Sequence, residues 1–126
     1  MPAHVPPALY SADFGGCTNL ANRPPEEIEA TFCAVLRRAG ATVVRQLSHA
    51  FPETGQTCVL ILSESHAVLH TWPETGAVNI DIFSCSTRLK SLEAIDELRR
   101  FFDAGRVTLQ ESPRADGRGP VSHGRR

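Results

Sequence analysis

Residues 63–74 read SESHAVLHTWPE, and the period assigned to this stretch decides the architecture. As a helix it would set His66 and His70 on one face. As a strand it sends Val68, His70 and Trp72 to one side and Leu69 and Thr71 to the other. The flanks favour the strand. Residues 58–62 before it form a short apolar run typical of a buried strand, and residues 73–76 after it are a turn signal. Val78, Ile80 and Ile82 then alternate with Asn79, Asp81 and Phe83. Residues 52–56 make an earlier turn behind a strand on which Val43, Leu47 and Phe51 are expected to share a face. Four consecutive strands on short turns imply an antiparallel meander.

Outward from the meander the period changes to that of a helix on both sides. Pro24 and Pro25 suit a first helical turn, Glu26 and Glu27 its positive end, and Arg37 and Arg38 its negative end, with Gly40 as the stop. Between them Ile28, Phe32, Val35, Leu36 and Ala39 recur at helical spacing. A second helix is predicted from Ser86 or Thr87, with Leu92, Ile95, Leu98 and Phe102 inward and Gly105 at its end. A short strand from about Leu9 to Phe14, closed by Gly15 and Gly16, and a return strand from Arg106 to Glu111 complete the order β-α-ββββ-α-β. That order gives a two-layer α/β sandwich, an antiparallel sheet with two helices on one face. The other face needs a cover, which predicts pairing with a second copy. Residues 1–112 are read as one domain, and the Pro-, Gly- and Arg-rich tail 113–126 as disordered.

Composition bounds the partners. With 41% hydrophobic and 21% charged residues the chain is globular, and 13 basic against 14 acidic residues leave a formal charge of -1, so neither nucleic acid nor an anionic membrane is expected. No apolar run approaches a membrane span, and the opening MPAHVPPALYS lacks the basic start and apolar core of a signal peptide, so the expected location is the cytoplasm. Cys17, Cys33, Cys58 and Cys85 are too dispersed for a CxxC motif, and buried free thiols are expected for the first three.

The segment that sets the fold also carries two serines, two histidines, two acids and a tryptophan. Ser65 between Glu64 and His66 reads most simply as a turn hydroxyl, His70 as a half-buried histidine, Trp72 as a core or interface aromatic and Glu74 as a solvated turn carboxylate. A Ser-His hydrolase could draw on Ser65, His70 and Asp81, but the GxSxG elbow is absent and the pattern is strand-turn-strand. Zinc on His66 and His70 would need a further ligand, for which Cys85 is the only nearby thiol.

Taken together, Glu64-Ser65-His66, His70-Thr71-Trp72-Pro73-Glu74 and Asp81-Ile82-Phe83-Ser84-Cys85 resemble the signature of the short prokaryotic S-adenosylmethionine decarboxylases, the pyruvoyl enzymes of polyamine synthesis. The resemblance runs from about Ala12 to Glu111. It implies an αββα homodimer and a chain that cuts itself between Glu64 and Ser65. The Ser65 hydroxyl would attack the Glu64 carbonyl, converting amide to ester. Elimination from the ester would release a β chain of residues 1–64 and leave a dehydroalanine, which hydrolyses with loss of ammonia to the pyruvoyl group, made from Ser65, that begins the α chain. His70 takes the role of processing base and Thr57 that of the processing hydroxyl, which steadies the tetrahedral oxyanion. In turnover the pyruvoyl ketone forms a Schiff base with the substrate amine and Cys85 returns a proton to the product. The resemblance further sets Phe51 against an adenine ring and Glu74 on ribose hydroxyls, with no metal. The substrate it implies is S-adenosylmethionine, decarboxylated to the aminopropyl donor of spermidine synthesis.

Two positions depart from the family pattern. Thr57 stands where the family carries serine, and Gly15 and Gly16 replace bulkier residues in a segment that helps wall the site together with a neighbouring subunit. The alternatives are a pyruvoyl decarboxylase of ornithine or arginine, and a catalytically weak partner subunit.

Overall fold

The computed structural model describes residues 5–118, and residues 63–74 fold as a turn and a strand. Six strands form one sheet: β1 (Ala8–Gly15), β2 (Val43–Ala50), β3 (Gln56–Leu62), β4 (His66–Trp72), β5 (Ala77–Ser84) and β6 (Arg106–Pro113). The spatial order is β2-β3-β4-β5-β1-β6, every neighbouring pair antiparallel. Helices α1 (Pro25–Arg38) and α2 (Ser91–Phe101) lie on one face, which makes the two-layer α/β sandwich expected from the order of elements.

Alternation in the strands builds the core. Leu60 on β3, Leu69 on β4 and Ile80 and Ile82 on β5 are fully buried beneath Phe32 and Leu36 of α1 and Leu98 of α2. Burying a side chain of this size stabilises the fold by roughly 1.5–3 kcal/mol. Arg38 joins the two helices through Glu97, and Arg23, in the segment before α1, holds α2 with a guanidinium that lies 4.0 Å above the Phe101 ring and donates to the Phe101 carbonyl at 2.9 Å.

Among the described residues, nothing covers the sheet face away from the helices. Leu47, Ile61, Trp72 and Phe51 on it are 68%, 45%, 43% and 40% exposed, a spread of apolar surface that a lone domain rarely leaves open.

Three local expectations are corrected. Val43 does not share a face with Leu47 and Phe51: the β2–β3 register shifts between Val43 and Arg45, so Val43 pairs with Leu62 and packs against the core. The second helix starts at Ser91 rather than at Ser86 or Thr87, because residues 85–90 are held as a loop by the Ser84 and Ser86 hydroxyls and by Lys90 N–H donating to Ala39 O at 2.8 Å. The later start turns Leu92 outward and gives the inward positions to Ser91, Ala94, Ile95 and Leu98. The α2 exit takes its left-handed step at Asp103 (φ 52) rather than at Gly105.

Gly40 is a true stop. Its φ is +108, and a Cβ there would lie 2.3 Å from the Arg88 carbonyl oxygen, so only glycine lets the end of α1 meet the loop that carries Cys85. At the C-terminal end β6 continues to Pro113, and Arg114 N–H donates to Pro7 O at 2.8 Å. Of the tail expected to be disordered, residues 119–126 lie outside the described residues.

Candidate active site

The expected site residues fall into two clusters at opposite ends of β3 and β4. The first is built on the three-residue turn between these strands. Leu62 N–H donates to Ser65 O at 2.9 Å and Ser63 N–H to Thr42 O at 3.1 Å, which pins the turn at both ends. The loop after β5 runs alongside it. There the Cys85 thiol donates to the Glu64 carbonyl oxygen at 2.8 Å, and Cys85 N–H donates to Ser65 Oγ at 3.3 Å.

Next to this turn is an open cavity of about 1080 Å³, lined by Ser65 and Cys85 together with Thr42, Arg88, Asp116 and Arg118. His66 stacks nearly parallel on Phe83, 5.1 Å between centroids and 13° between planes, and the Arg114 guanidinium stands 6.0 Å from the other partner of that stack, the Phe83 ring.

The second cluster sits where β3 begins and β4 ends. Thr57 Oγ1 and His70 Nδ1 are 2.7 Å apart, on residues directly opposite in the β3–β4 ladder. The His70 ring is flanked by Trp72 at 4.5 Å and by Phe51 at 5.7 Å. Glu74 is exposed in the turn that follows β4. These residues share the uncovered sheet face or its rim.

Four residues separate His66 from His70 along β4, about 13 Å at roughly 3.3 Å per residue. Ser65 is therefore joined to Glu64 and Cys85 within one chain, while Thr57 and His70 are joined to each other. The same separation removes the geometric basis of a Ser65–His70–Asp81 triad in one chain. Among the described residues no group of three or more His, Cys, Asp or Glu is arranged to hold a metal ion. No helix among them is long and apolar enough to cross a membrane.

The other three cysteines are buried. Burial pushes the Cys58 thiol up in pKa, partly offset by hydrogen bonds to Ser48 and Gln56, and burial likewise raises Cys17. Cys85 is the half-exposed exception. At the amino end, Gly16 has φ +68, and the Arg106 guanidinium reaches to 2.6 Å from where a Gly15 Cβ would stand, so an arginine from β6 fills the space that a bulkier residue would take.

Sequence reasoning missed two features. One is the contact of Cys85 with the Glu64 carbonyl, which depends on how a loop folds back. The other is a hydrogen-bonded run on the uncovered face: Trp72 Nε1–H donates to Asn79 Oδ1 at 2.6 Å, and Asn79 Nδ2–H donates to Asp13 Oδ1 at 2.7 Å. Alternation places Asn79 on the face of His70, but only the strand order brings Asp13 beside it.

The S-adenosylmethionine decarboxylase family profile matches residues 8–115. Proteins named S-adenosylmethionine decarboxylase proenzyme are similar in three organisms: 33% identity over 103 residues in Acidithiobacillus ferrooxidans (82% of this chain, 77% of that protein), 32% over 99 in Methanococcus maripaludis (79% and 81%), and 32% over 111 in Clostridium tetani (88% of each). The crystal structure of the adenosylmethionine decarboxylase of Aquifex aeolicus has the same fold, with TM-score 0.80 at 24% identity over 95% of this chain and 99% of that one. Sequence and architecture thus lead to one assignment: the chain belongs to the S-adenosylmethionine decarboxylase family.

Proposed function

We propose that the chain is a self-processing, pyruvoyl-dependent carboxy-lyase that decarboxylates S-adenosylmethionine, and that its site is completed by a second copy. The observation that carries the reading is the pair of contacts Cys85 makes at the Glu64–Ser65 bond, one to the attacking hydroxyl oxygen and one to the oxygen of the carbonyl under attack. The Cys85 amide holds the Ser65 hydroxyl beside the bond. The Cys85 thiol meets the Glu64 oxygen, where negative charge collects once the Ser65 Oγ adds to the carbonyl carbon. Collapse of that adduct breaks the amide and leaves Glu64 esterified to Ser65. Removal of the residue 65 α-proton then expels the Glu64 carboxylate and leaves a dehydroalanine, which water converts to the pyruvoyl ketone with release of ammonia.

The base and the second donor, a hydroxyl, are His70 and Thr57, which lie too far along the strands to serve their own Ser65. Residues at opposite ends of one uncovered, partly apolar face meet when two copies stack face to face about a two-fold axis, because the operation reverses the strands. Each Ser65–Cys85 end then receives a Thr57–His70 end, and Phe51 and Glu74 travel with the latter. Phe51 offers an aromatic face to a purine, and Glu74 a carboxylate to a diol.

The donor set fits a pyruvoyl group at residue 65: the position follows a turn held on both sides, a thiol proton lies next to it, and the cavity beside it is open. Such a group supplies a ketone that condenses with the substrate amine and accepts the electrons released with carbon dioxide. Cys85, half-exposed at the cavity wall, then holds the proton that the product carbon needs.

Intact mass spectrometry of purified protein, followed by carbon dioxide release from S-adenosylmethionine, ornithine and arginine, tests the reading. Two chains divided between residues 64 and 65, with Ser65→Ala left whole and turnover confined to S-adenosylmethionine, are the expected result. A stable uncut wild type would overturn self-processing. Turnover of a free diamino acid instead would overturn the substrate.

A further inference from the structure

The uncovered face carries a row of polar residues that runs straight across the sheet. Asp13 of β1 is opposite Asn79 of β5, Asn79 opposite His70 of β4, His70 opposite Thr57 of β3, and Thr57 opposite His49 of β2. Residues directly opposite in an antiparallel ladder have Cβ atoms about 4.5–5.5 Å apart and interact as pairs. This row therefore meets the His70 imidazole from both sides.

On one side the contact is direct, Thr57 Oγ1 to His70 Nδ1 at 2.7 Å. On the other it runs through Trp72. The indole packs on the His70 ring at 4.5 Å, and its N–H is tied to Asn79 Oδ1, whose amide in turn donates to Asp13. The polarity of this run is fixed by chemistry. An indole N–H can only donate and an ionised carboxylate can only accept, so the Asn79 amide has one orientation that serves both neighbours. A ring held by a hydroxyl at one nitrogen and clamped between Trp72 and Phe51 has little freedom to turn.

We infer that Asp13, Asn79 and Trp72 are positioning residues for self-processing: they lock the indole against His70 and so aim its imidazole across the uncovered face. The inference rests on the reading of His70 as the processing base. Thr57 sets one edge of the ring, and the Asp13–Asn79–Trp72 run sets its tilt.

Reversing the polarity of the run provides the test. Asn79→Asp keeps the shape and the acceptor for Trp72, but it sets two carboxylates against each other at Asp13. Adding Asp13→Asn restores a donor opposite the new acid. Self-cleavage followed by intact mass should be slowed about three- to tenfold in Asn79→Asp, the effect of losing one hydrogen bond. It should return to within about twofold of wild type in Asp13→Asn/Asn79→Asp. A wild-type rate in the single variant, or a defect that the second change does not lift, would overturn the inference.

A parallel series in the Ser65→Ala background, which has no hydroxyl to start cleavage, reads the ring itself. The NMR shifts of the His70 carbon-bound protons depend on the adjacent indole. They should move in Asn79→Asp and return in the double variant, and shifts unchanged across the series would overturn the clamp. Should wild type fail to cleave, or His70→Ala cleave normally, the functional reading falls, while the NMR series still decides whether the run positions His70.

Discussion

The Cys85 thiol lies 2.8 Å from the carbonyl oxygen of Glu64, and the amide of the same residue lies 3.3 Å from Ser65 Oγ. One residue thus touches both partners of the bond where the chain is expected to break. The β3–β4 turn alone could not fix that geometry. It depends on the loop after β5, which is docked through Gly40 and Lys90 onto the end of α1.

Cys85→Ala removes the thiol donor and should slow self-cleavage by about 10²–10³-fold, the loss seen when an oxyanion donor is deleted. Cys85→Ser keeps a donor but is a far weaker acid. It should recover much of the cleavage while carbon dioxide release stays low. Intact mass and turnover measured on the same samples separate the two roles.

The proposed sharing of the site between two copies makes mixing informative. His70→Ala and Ser65→Ala should each remain uncut alone. Expressed together, they form mixed pairs in which the His70→Ala chain keeps Ser65 and receives its partner's His70. That chain alone should be cleaved, as mass spectrometry would show. Absence of cleavage in the mixture would return the whole site to one chain.

Gly40→Ala sets a Cβ against the Arg88 carbonyl oxygen at a backbone angle of φ +108. Left-handed strain costs about 1–3 kcal/mol before the clash is counted, so urea unfolding should shift to clearly lower concentration. Because the displaced loop carries Cys85, self-cleavage should slow in the fraction that folds.

Alkaline pH should weaken the fold. Burial holds Cys58, Cys17 and Tyr10 above their ordinary pKa values, with Glu111 adding to the effect on Tyr10. In the unfolded chain thiols titrate near about 8.5 and phenols near about 10. Above those values the unfolded state binds fewer protons than the folded one, so stability is full below pH of about 8.5 and falls as pH rises. Denaturant midpoints at rising pH should decline, with a shallower decline in Cys58→Ala.

How far the chain could be read in advance follows from the range of each interaction. Strand alternation in residues 63–83 is local, and it separated Leu69 from His70 and Trp72, and Ile80 from Asn79, along the two faces that the structure buries and leaves open. The charge and proline pattern located α1 because caps and dipole contacts act within a turn. The start of α2 was misplaced because Thr87 and Leu92 suit a helix, and what overrides them is a bond to Ala39 far away in sequence. The bulge at Val43 left no mark in the alternation, so one face was misread. For the candidate site, the residues came from the family resemblance. Their division between two ends of the sheet could not come from it, since a motif carries no distances.

The order of the strands has a last consequence, for refolding. A cut between Glu64 and Ser65 leaves β1, β2 and β3 on one fragment and β4, β5 and β6 on the other. In the order β2-β3-β4-β5-β1-β6 the two fragments alternate, so β1 of the first is held between β5 and β6 of the second. The fragments are laced together and can part only if ladders open. The intact precursor closes these pairings within one molecule, at a loop entropy that grows slowly with length. Once cut and denatured, the halves must find each other by diffusion, so dilution that the precursor survives would leave the mature protein unable to reassemble. On the proposed cut, the uncut chain would serve as a single-use folding template, and self-cleavage would discard the connectivity that made assembly easy.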